Sequence, residues 1–418
     1  MLDAIFRDPH VVHRLRDGPL GDSIEELVRR LRKGGYALTT MQTYARGVGH
    51  LAYWLEAERV ALVTVDETTV RRFIDEHLPR CRCPVPFGAP LCDLRAATGH
   101  MLVVLRDARS IPPRSVAPTR PLDRLLQDFA AELRKTRGVT AKTCTLYTRD
   151  VGEFLASKYA EGPVDLARLE ARDVIAYVAQ QAERYRPKTV KLVATALRWF
   201  LRFLEIRGLC GAALRTAVPT IPEWKLSRLP KVLTDDQLGA LLASFDRATT
   251  NGRRDYAMAM CLAELGLRAA EVAQLSLDDV DWRSGAVRLR GKSRRESLLP
   301  LPIGVGRAII AYLRRGRPLT AQRCIFVRHG VPVGAPLSSS AVRQAVRRGF
   351  KRARIDLACK GSHVLRHTAA SRMLRGGATL KQLADVLRHR SIDTTAIYAK
   401  VDLPRLTEVA LPWPEVRP

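Results

Sequence analysis

Four short strings in the C-terminal half of this 418-residue chain hold side chains that suit a phosphate. In Gly266-Leu267-Arg268-Ala269-Ala270-Glu271, Gly266 ends one helix and leaves Arg268 at the mouth of the next. Free backbone N–H groups and the helix dipole favour an anion there. Lys292 follows, beside Gly291 at the tip of a hairpin signal. In His363-Val364-Leu365-Arg366-His367, His363 and Arg366 fall one helical turn apart on one face and can reach one phosphate. The last string is Leu387-Arg388-His389-Arg390, after which Ser391 or Asp393 caps a short helix carrying Tyr398. Singly, each has a plain structural reading: an Arg by a helix start, a solvated Lys, a partly buried His, a core Tyr. Together they are far more specific.

The elements that must position these residues are mixed. Thr234, Asp235 and Asp236 start a helix ahead of Leu238, Leu241 and Leu242. A second helix is expected from Arg254 to Leu265, stopping at Gly266, and another from near Ala269. The stretch from Ala286 to Pro302 alternates apolar and polar residues on either side of Gly291, which predicts a β-hairpin. Helices return from Ser338, and Leu380, Leu383, Ala384 and Leu387 form the stripe of one that ends at His389.

Proline marks the joints of the whole chain. A linker at 112–120 and a second at 213–230 separate residues 1–111, 121–212 and 231–405, with a tail at 406–418. The first two blocks read as all-helical. Their stripes are Tyr44, Val48, Leu51 and Leu55 in one, and Tyr147, Val151, Phe154 and Leu155 in the other. The likeness fits either a duplicated module or the ordinary similarity of amphipathic helices. The expected fold class is mainly α with a small antiparallel sheet: helical N-terminal and middle domains, then an α+β domain.

Composition narrows the partners. The chain has 70 Lys and Arg against 42 Asp and Glu, and 46% apolar residues, which excludes wholesale disorder. Between Arg288 and Arg375 there are 21 basic residues against only Glu296 and Asp356. Soluble surfaces usually mix both signs, so this segment points to a polyanion, nucleic acid above all. Arg288, Arg290, Arg294, Arg295, Arg347, Arg348, Lys351 and Arg352 are the candidate contacts. No apolar run reaches the roughly 18 residues of a membrane span. With no secretory pattern at Met1 and cysteines scattered mostly singly, a cytoplasmic protein without a membrane partner is expected. In the first block His77, Cys81, Cys83 and Cys92 lie close, with His100 beyond. They could bind zinc. Cys-x-Cys differs from the usual Cys-x2-Cys knuckle, however, and Pro84 and Pro86 stiffen the segment, so a loop with free thiols is the default reading.

The ordered set Arg268, Lys292, His363, Arg366, His389 and Tyr398 resembles the catalytic set of the tyrosine recombinases, the phage-integrase type of site-specific DNA recombinase. Two departures stand out: Arg388 where the family usually has Gly in Leu-Gly-His, and Ser297 where a basic residue is common. The resemblance covers residues 231–405 and extends to 121–212, which looks like the family's core-binding, SAM-like domain; it covers the first block loosely. It implies Tyr398 as nucleophile toward a DNA phosphodiester, Arg268 and Arg366 as phosphate clamps, and Lys292 as acid to the leaving oxygen. His363 would be the general base, and His389 a hydrogen-bond donor. It also implies double-stranded DNA as partner, a homotetramer or an assembly with sister recombinases, and neither metal nor ATP in the chemistry. An added N-terminal block suits a mobile-element recombinase. A type IB-like topoisomerase, or a subunit that only binds DNA, is the alternative.

Overall fold

A computed structural model of the chain describes residues 1–84, 88–113, 121–159, 164–222, 230–290, 296–357, 361–388 and 394–399. Lys292, Arg294, Arg295 and His389 lie outside these residues, as do Ser391, Asp393, the side chain of Arg290 and everything from residue 400 onward. Contacts divide the chain into two compact units. One is 114–227; the other joins 1–113 to 228–418.

Residues 1–111 build one hydrophobic core from helices Pro9–Asp17, Gly21–Lys33, Leu38–Ala57, Glu67–Arg72 and Leu91–Asp107. The expected stripe of Tyr44, Val48, Leu51 and Leu55 is buried there. After Val65 the chain does not run as one continuous α-helix. Asp66 caps Glu67–Arg72, but a π-helical turn follows at Phe73–His77, then a 3-10 turn at Leu78–Arg80 around Pro79. Proline cannot supply the N–H that would continue an α-helix.

The 114–227 unit is a second helical core, made by Pro121–Arg137, Ala141–Tyr159, Ala171–Arg184, Pro187–Ile206 and Ala212–Thr216. Its longest helix buries Val190, Ala194, Leu197, Leu201 and Leu204, spaced three and four apart, so that one continuous stripe faces inward.

Residues 231–399 form the α+β part. Its axis is the helix Thr250–Glu264, apolar on nearly every side from Ala257 to Ala263 and therefore central. It begins four residues earlier than predicted, because the Thr249 side chain accepts from the backbone N–H of Gly252. Helices Ile303–Arg315, Ser339–Arg352 and Ser362–Arg375 pack against it. The hairpin is present as strand Ala286–Arg290 antiparallel to Glu296–Pro300, with Arg288 opposite Leu298. A two-residue strand, Val280–Asp281, pairs on the other side of Ala286–Arg290 and makes a three-stranded sheet. Mainly α with a small antiparallel sheet is the fold class observed.

Two buried joints set the loops that carry the motifs. Gly266 takes φ of +60°, and its carbonyl accepts a hydrogen bond from Arg366 of the Ser362–Arg375 helix. The helix Leu380–Leu387 ends two residues before the expected His389, because Arg388 turns left-handed at φ of +55°. There Arg388 reaches back to Glu271 at 2.7 Å, with both side chains about a tenth exposed. The charge that Arg388 adds where the family usually has Gly is thus turned into the fold.

A Cβ at Gly266 would lie 2.8 Å from Leu387 Cδ2, in a backbone conformation that L-residues rarely adopt. Gly266→Ala should therefore cost about 1–2 kcal/mol, read as a lower denaturation midpoint. Glu271 gives a pH test. Burial opposes its ionisation, but Arg388, the Arg268 backbone N–H and the Arg268 side chain outweigh burial and hold its carboxyl below the usual glutamate range. A lowered folded pKa means stability that is present above the unfolded value and lost as pH falls through the folded one. Wild type should exceed Glu271→Gln by about 2 kcal/mol at neutral pH, and the gap should close as pH falls below the usual glutamate range and through the lowered folded value. A gap that stays constant through that window would contradict the assignment.

Candidate active site

Arg366 projects from the helix Ser362–Arg375 and is 4% exposed. Its guanidinium donates to two backbone carbonyls, Gly266 O and Leu387 O. One side chain thus ties together the turn before Arg268 and the end of the Leu380–Leu387 helix. Burial, with Arg268 close by, pulls its pKa down to about 10, so it still carries its charge at neutral pH.

Arg268 lies at the N-cap of Ala269–Gln274. Glu271 accepts from its backbone N–H at 2.7 Å and from Nη1 at 2.8 Å, while Nη2 points at Arg388 O, 3.4 Å away. This arrangement fixes the guanidinium's plane and leaves its side chain 41% exposed. Glu271 is shared between Arg268 and Arg388, and with Arg366 alongside, three arginines gather around this one carboxylate. An anion with oxygens in a plane is what such a pair of forks would accept.

Tyr398, on the short helix Ala396–Ala399, stands beside this pair. It is 1% exposed, among Ala370, Leu374, Leu383 and Leu387. Its hydroxyl meets His367 Nδ1 at 2.8 Å. Burial raises the phenol's pKa to about 12, with Arg366 and Arg268 pulling the other way. Burial, then His363 and Arg366, lowers His367 to about 4. At neutral pH the pair is thus a phenol and an uncharged imidazole in hydrogen-bond contact.

Of the six residues singled out in the sequence, Arg268, Arg366 and Tyr398 come together. His363 lies on the Arg366 helix, exposed, with its ring 6.4 Å from that of His367. Lys292 and His389 lie outside the described residues. His367 had no assigned role in the sequence reading, although the residue four after His363 shares its helix face.

The candidate DNA contacts divide into two kinds. Arg288 is exposed on its strand, and Arg347 and Lys351 are exposed on Ser339–Arg352. Arg348 instead approaches Asp255 at 3.6 Å. Arg352 donates to Ser244 O at 2.9 Å and lies over the Phe245 ring. Both are thus engaged within the fold. Arg328 and Arg343, which the sequence reading passed over, line a groove with Arg347, Ser338 and Ser340.

The cysteine-rich group is also rearranged. His77, Cys81 and Cys83 come together, but the fourth member is His50 and not Cys92. Cys92 is exposed on the first turn of Leu91–Asp107, with its Sγ directed at Asp93. His100 is bonded to Tyr36 at 3.2 Å.

No described helix is long and apolar enough to cross a membrane. Residues 231–404 match the model of the phage integrase family, and 126–208 match the phage integrase N-terminal SAM-like domain. The chain is 38% identical over 400 residues to the integrase/recombinase y4rA of Sinorhizobium fredii, covering 95% of both chains. It is 34% identical over 301 residues to the tyrosine recombinase XerD of Mycobacterium tuberculosis, covering 68% of this chain and 95% of XerD. In fold it is similar to the XerH site-specific recombinase in a post-cleavage complex with its difH substrate. There the TM-score is 0.53 at 16% identity, over 70% of this chain and 96% of XerH. By motif, identity and fold, the chain belongs to the phage integrase family of tyrosine recombinases, enzymes that cleave and rejoin DNA.

Proposed function

We propose that the chain is a site-specific recombinase that cuts DNA through Tyr398 and exchanges strands between two sites. The observation that carries this reading is the meeting of Arg268, Arg366 and Tyr398. Two fixed guanidinium forks with excess positive charge stand beside a buried tyrosine whose hydroxyl already touches a base. Arg268 and Arg366 hold the nonbridging oxygens of one phosphodiester and stabilise the charge that develops on them. The Tyr398 oxygen attacks phosphorus as the bond to the 5′ oxygen breaks, leaving a 3′-phosphotyrosyl link and a free 5′-hydroxyl. The phenolic proton passes to the histidine pair. His367 is the direct partner in the free protein, and His363, one turn away, is the base that kinship favours. Lys292 protonates the departing oxygen, and His389 donates a hydrogen bond to the phosphate.

The tyrosyl ester keeps the energy of the broken bond, so rejoining needs no ATP. Attack on it by the 5′-hydroxyl of a second duplex exchanges one strand. Repetition with the other strand pair resolves a Holliday junction, which calls for four protomers, either copies of this chain or sister recombinases. The groove lined by Arg328, Arg343 and Arg347 supplies the grip on the backbone, and the SAM-like helical unit a second DNA surface. The match to the integrase/recombinase y4rA runs over almost the whole chain, first block included, and the reading extends to a mobile-element role by the added first block alone.

A nicked suicide substrate drawn from DNA flanking the gene tests the chemistry. Wild type should form a denaturant-resistant adduct. Tyr398→Phe should form none while still binding the DNA, and Arg366→Lys should cleave about 10²–10³-fold more slowly. Equal adduct from Tyr398→Phe would overturn the reading. A salt titration tests the exposed basic residues of the Ser339–Arg352 helix. Replacing Arg347 and Lys351 together by Ala should reduce the slope of log affinity against log salt by about two. Arg352→Ala should chiefly lower the denaturation midpoint, because its guanidinium is already spent on Ser244 and Phe245.

A further inference from the structure

We propose that His50, Cys81, Cys83 and His77 form a tetrahedral zinc site in the N-terminal block, remote in sequence from every residue of the proposed reaction. The four donors come from two places. His50 projects from the long helix Leu38–Ala57. His77 ends the π-helical turn Phe73–His77, and Cys81 and Cys83 follow the 3-10 turn Leu78–Arg80. All four donor atoms lie within 4.8 Å of one another. His50 Nε2 is 3.3 Å from His77 Nε2 and 3.3 Å from Cys81 Sγ, and His77 Nε2 is 3.5 Å from Cys83 Sγ.

Those three separations are close to the edges of a zinc tetrahedron. With Zn–N of about 2.0–2.1 Å and Zn–S of about 2.3 Å, neighbouring ligands lie about 3.3 Å apart for N–N and about 3.6 Å for N–S. Two imidazoles and two thiols are the donor set of structural zinc, whereas hard cations prefer oxygen. Four protein ligands leave no open position, so the ion's role is structural.

The surroundings hold the donors in place. The Phe73 ring stacks on His77 at 5.4 Å and meets His50 edge-on at 5.3 Å, and Trp54 lies 6.0 Å from His77. His50 itself is 5% exposed. The backbone N–H of Cys83 donates to Cys81 Sγ at 3.5 Å, the kind of outer contact that steadies a metal-bound thiolate. The π-helical turn also acquires a reason: it rotates His77 toward His50. The ion would clip the segment from Phe73 to Cys83 onto the Leu38–Ala57 helix, where Pro79 and Pro84 bar further helix.

The full chain, produced with zinc in the medium and dialysed without chelator, should contain about one zinc per chain by elemental analysis. Exchange for Co²⁺ should give the visible absorption of a tetrahedral, thiolate-ligated ion. Cys81→Ser with Cys83→Ser should lose both signals, and Cys92→Ser should keep both. Removing the metal from wild type with a chelator should lower its denaturation midpoint, and restoring zinc should recover it. The proposal is overturned if wild type holds no zinc and shows no tetrahedral Co²⁺ spectrum, or if Cys81 and Cys83 are recovered as a disulfide in the freshly purified chain. It is equally overturned if the double variant keeps its metal or Cys92→Ser loses it. None of these readouts depends on DNA cleavage, so they stand apart from the fate of Tyr398.

Discussion

The catalytic half of this protein depends on one buried cation. Arg366 is nearly inaccessible, yet its guanidinium donates to two carbonyls, with no carboxylate bonded to it among the described residues. Those carbonyls belong to two chain segments over a hundred positions apart in sequence. The same group that joins the Gly266 turn to the Leu387 helix end is the one proposed to hold phosphate. Structural and chemical roles therefore cannot be separated at Arg366. A buried charge is costly unless its donors are satisfied, and here two carbonyls satisfy them.

Around that cation the supporting parts are arranged to fix direction. Glu271 serves two arginines, aiming Arg268 outward while drawing Arg388 in. The left-handed turn at Arg388 is of a kind that glycine adopts without strain. A non-glycine residue is tolerated because its side chain gains a buried ionic partner. On the other side, burial keeps Tyr398 protonated and His367 neutral. The free protein thus holds its tyrosine as a neutral phenol beside a neutral imidazole.

Much of this was legible in the sequence, and what was not had physical reasons. Helical stripes such as Val48-Leu51-Leu55 and Leu383-Leu387, and the alternation on either side of Gly291, report directly on which face is buried. The Gly266 turn and the order of basic motifs were readable too. Val280–Asp281 was invisible because two residues carry no period. The direction of Arg388 depends on a backbone conformation and on Glu271, 117 positions away, which no local pattern encodes. The same holds for His50, which displaces Cys92 from the cysteine-rich group. Nearness in sequence suggested Cys92, whereas the fold brings a neighbouring helix to the site. His367 was in view, and only its distance to Tyr398 distinguishes it from His363.

The central claim is that Arg268 and Arg366 deliver a phosphodiester to one particular hydroxyl. Digesting a trapped protein–DNA adduct and sequencing the nucleotide-bearing peptide by mass spectrometry tests it most directly. The account predicts that the 3′-phosphate is found on Tyr398, within the peptide that follows Arg390. A nucleotide attached to any other residue would contradict it, however well the guanidinium pair is formed.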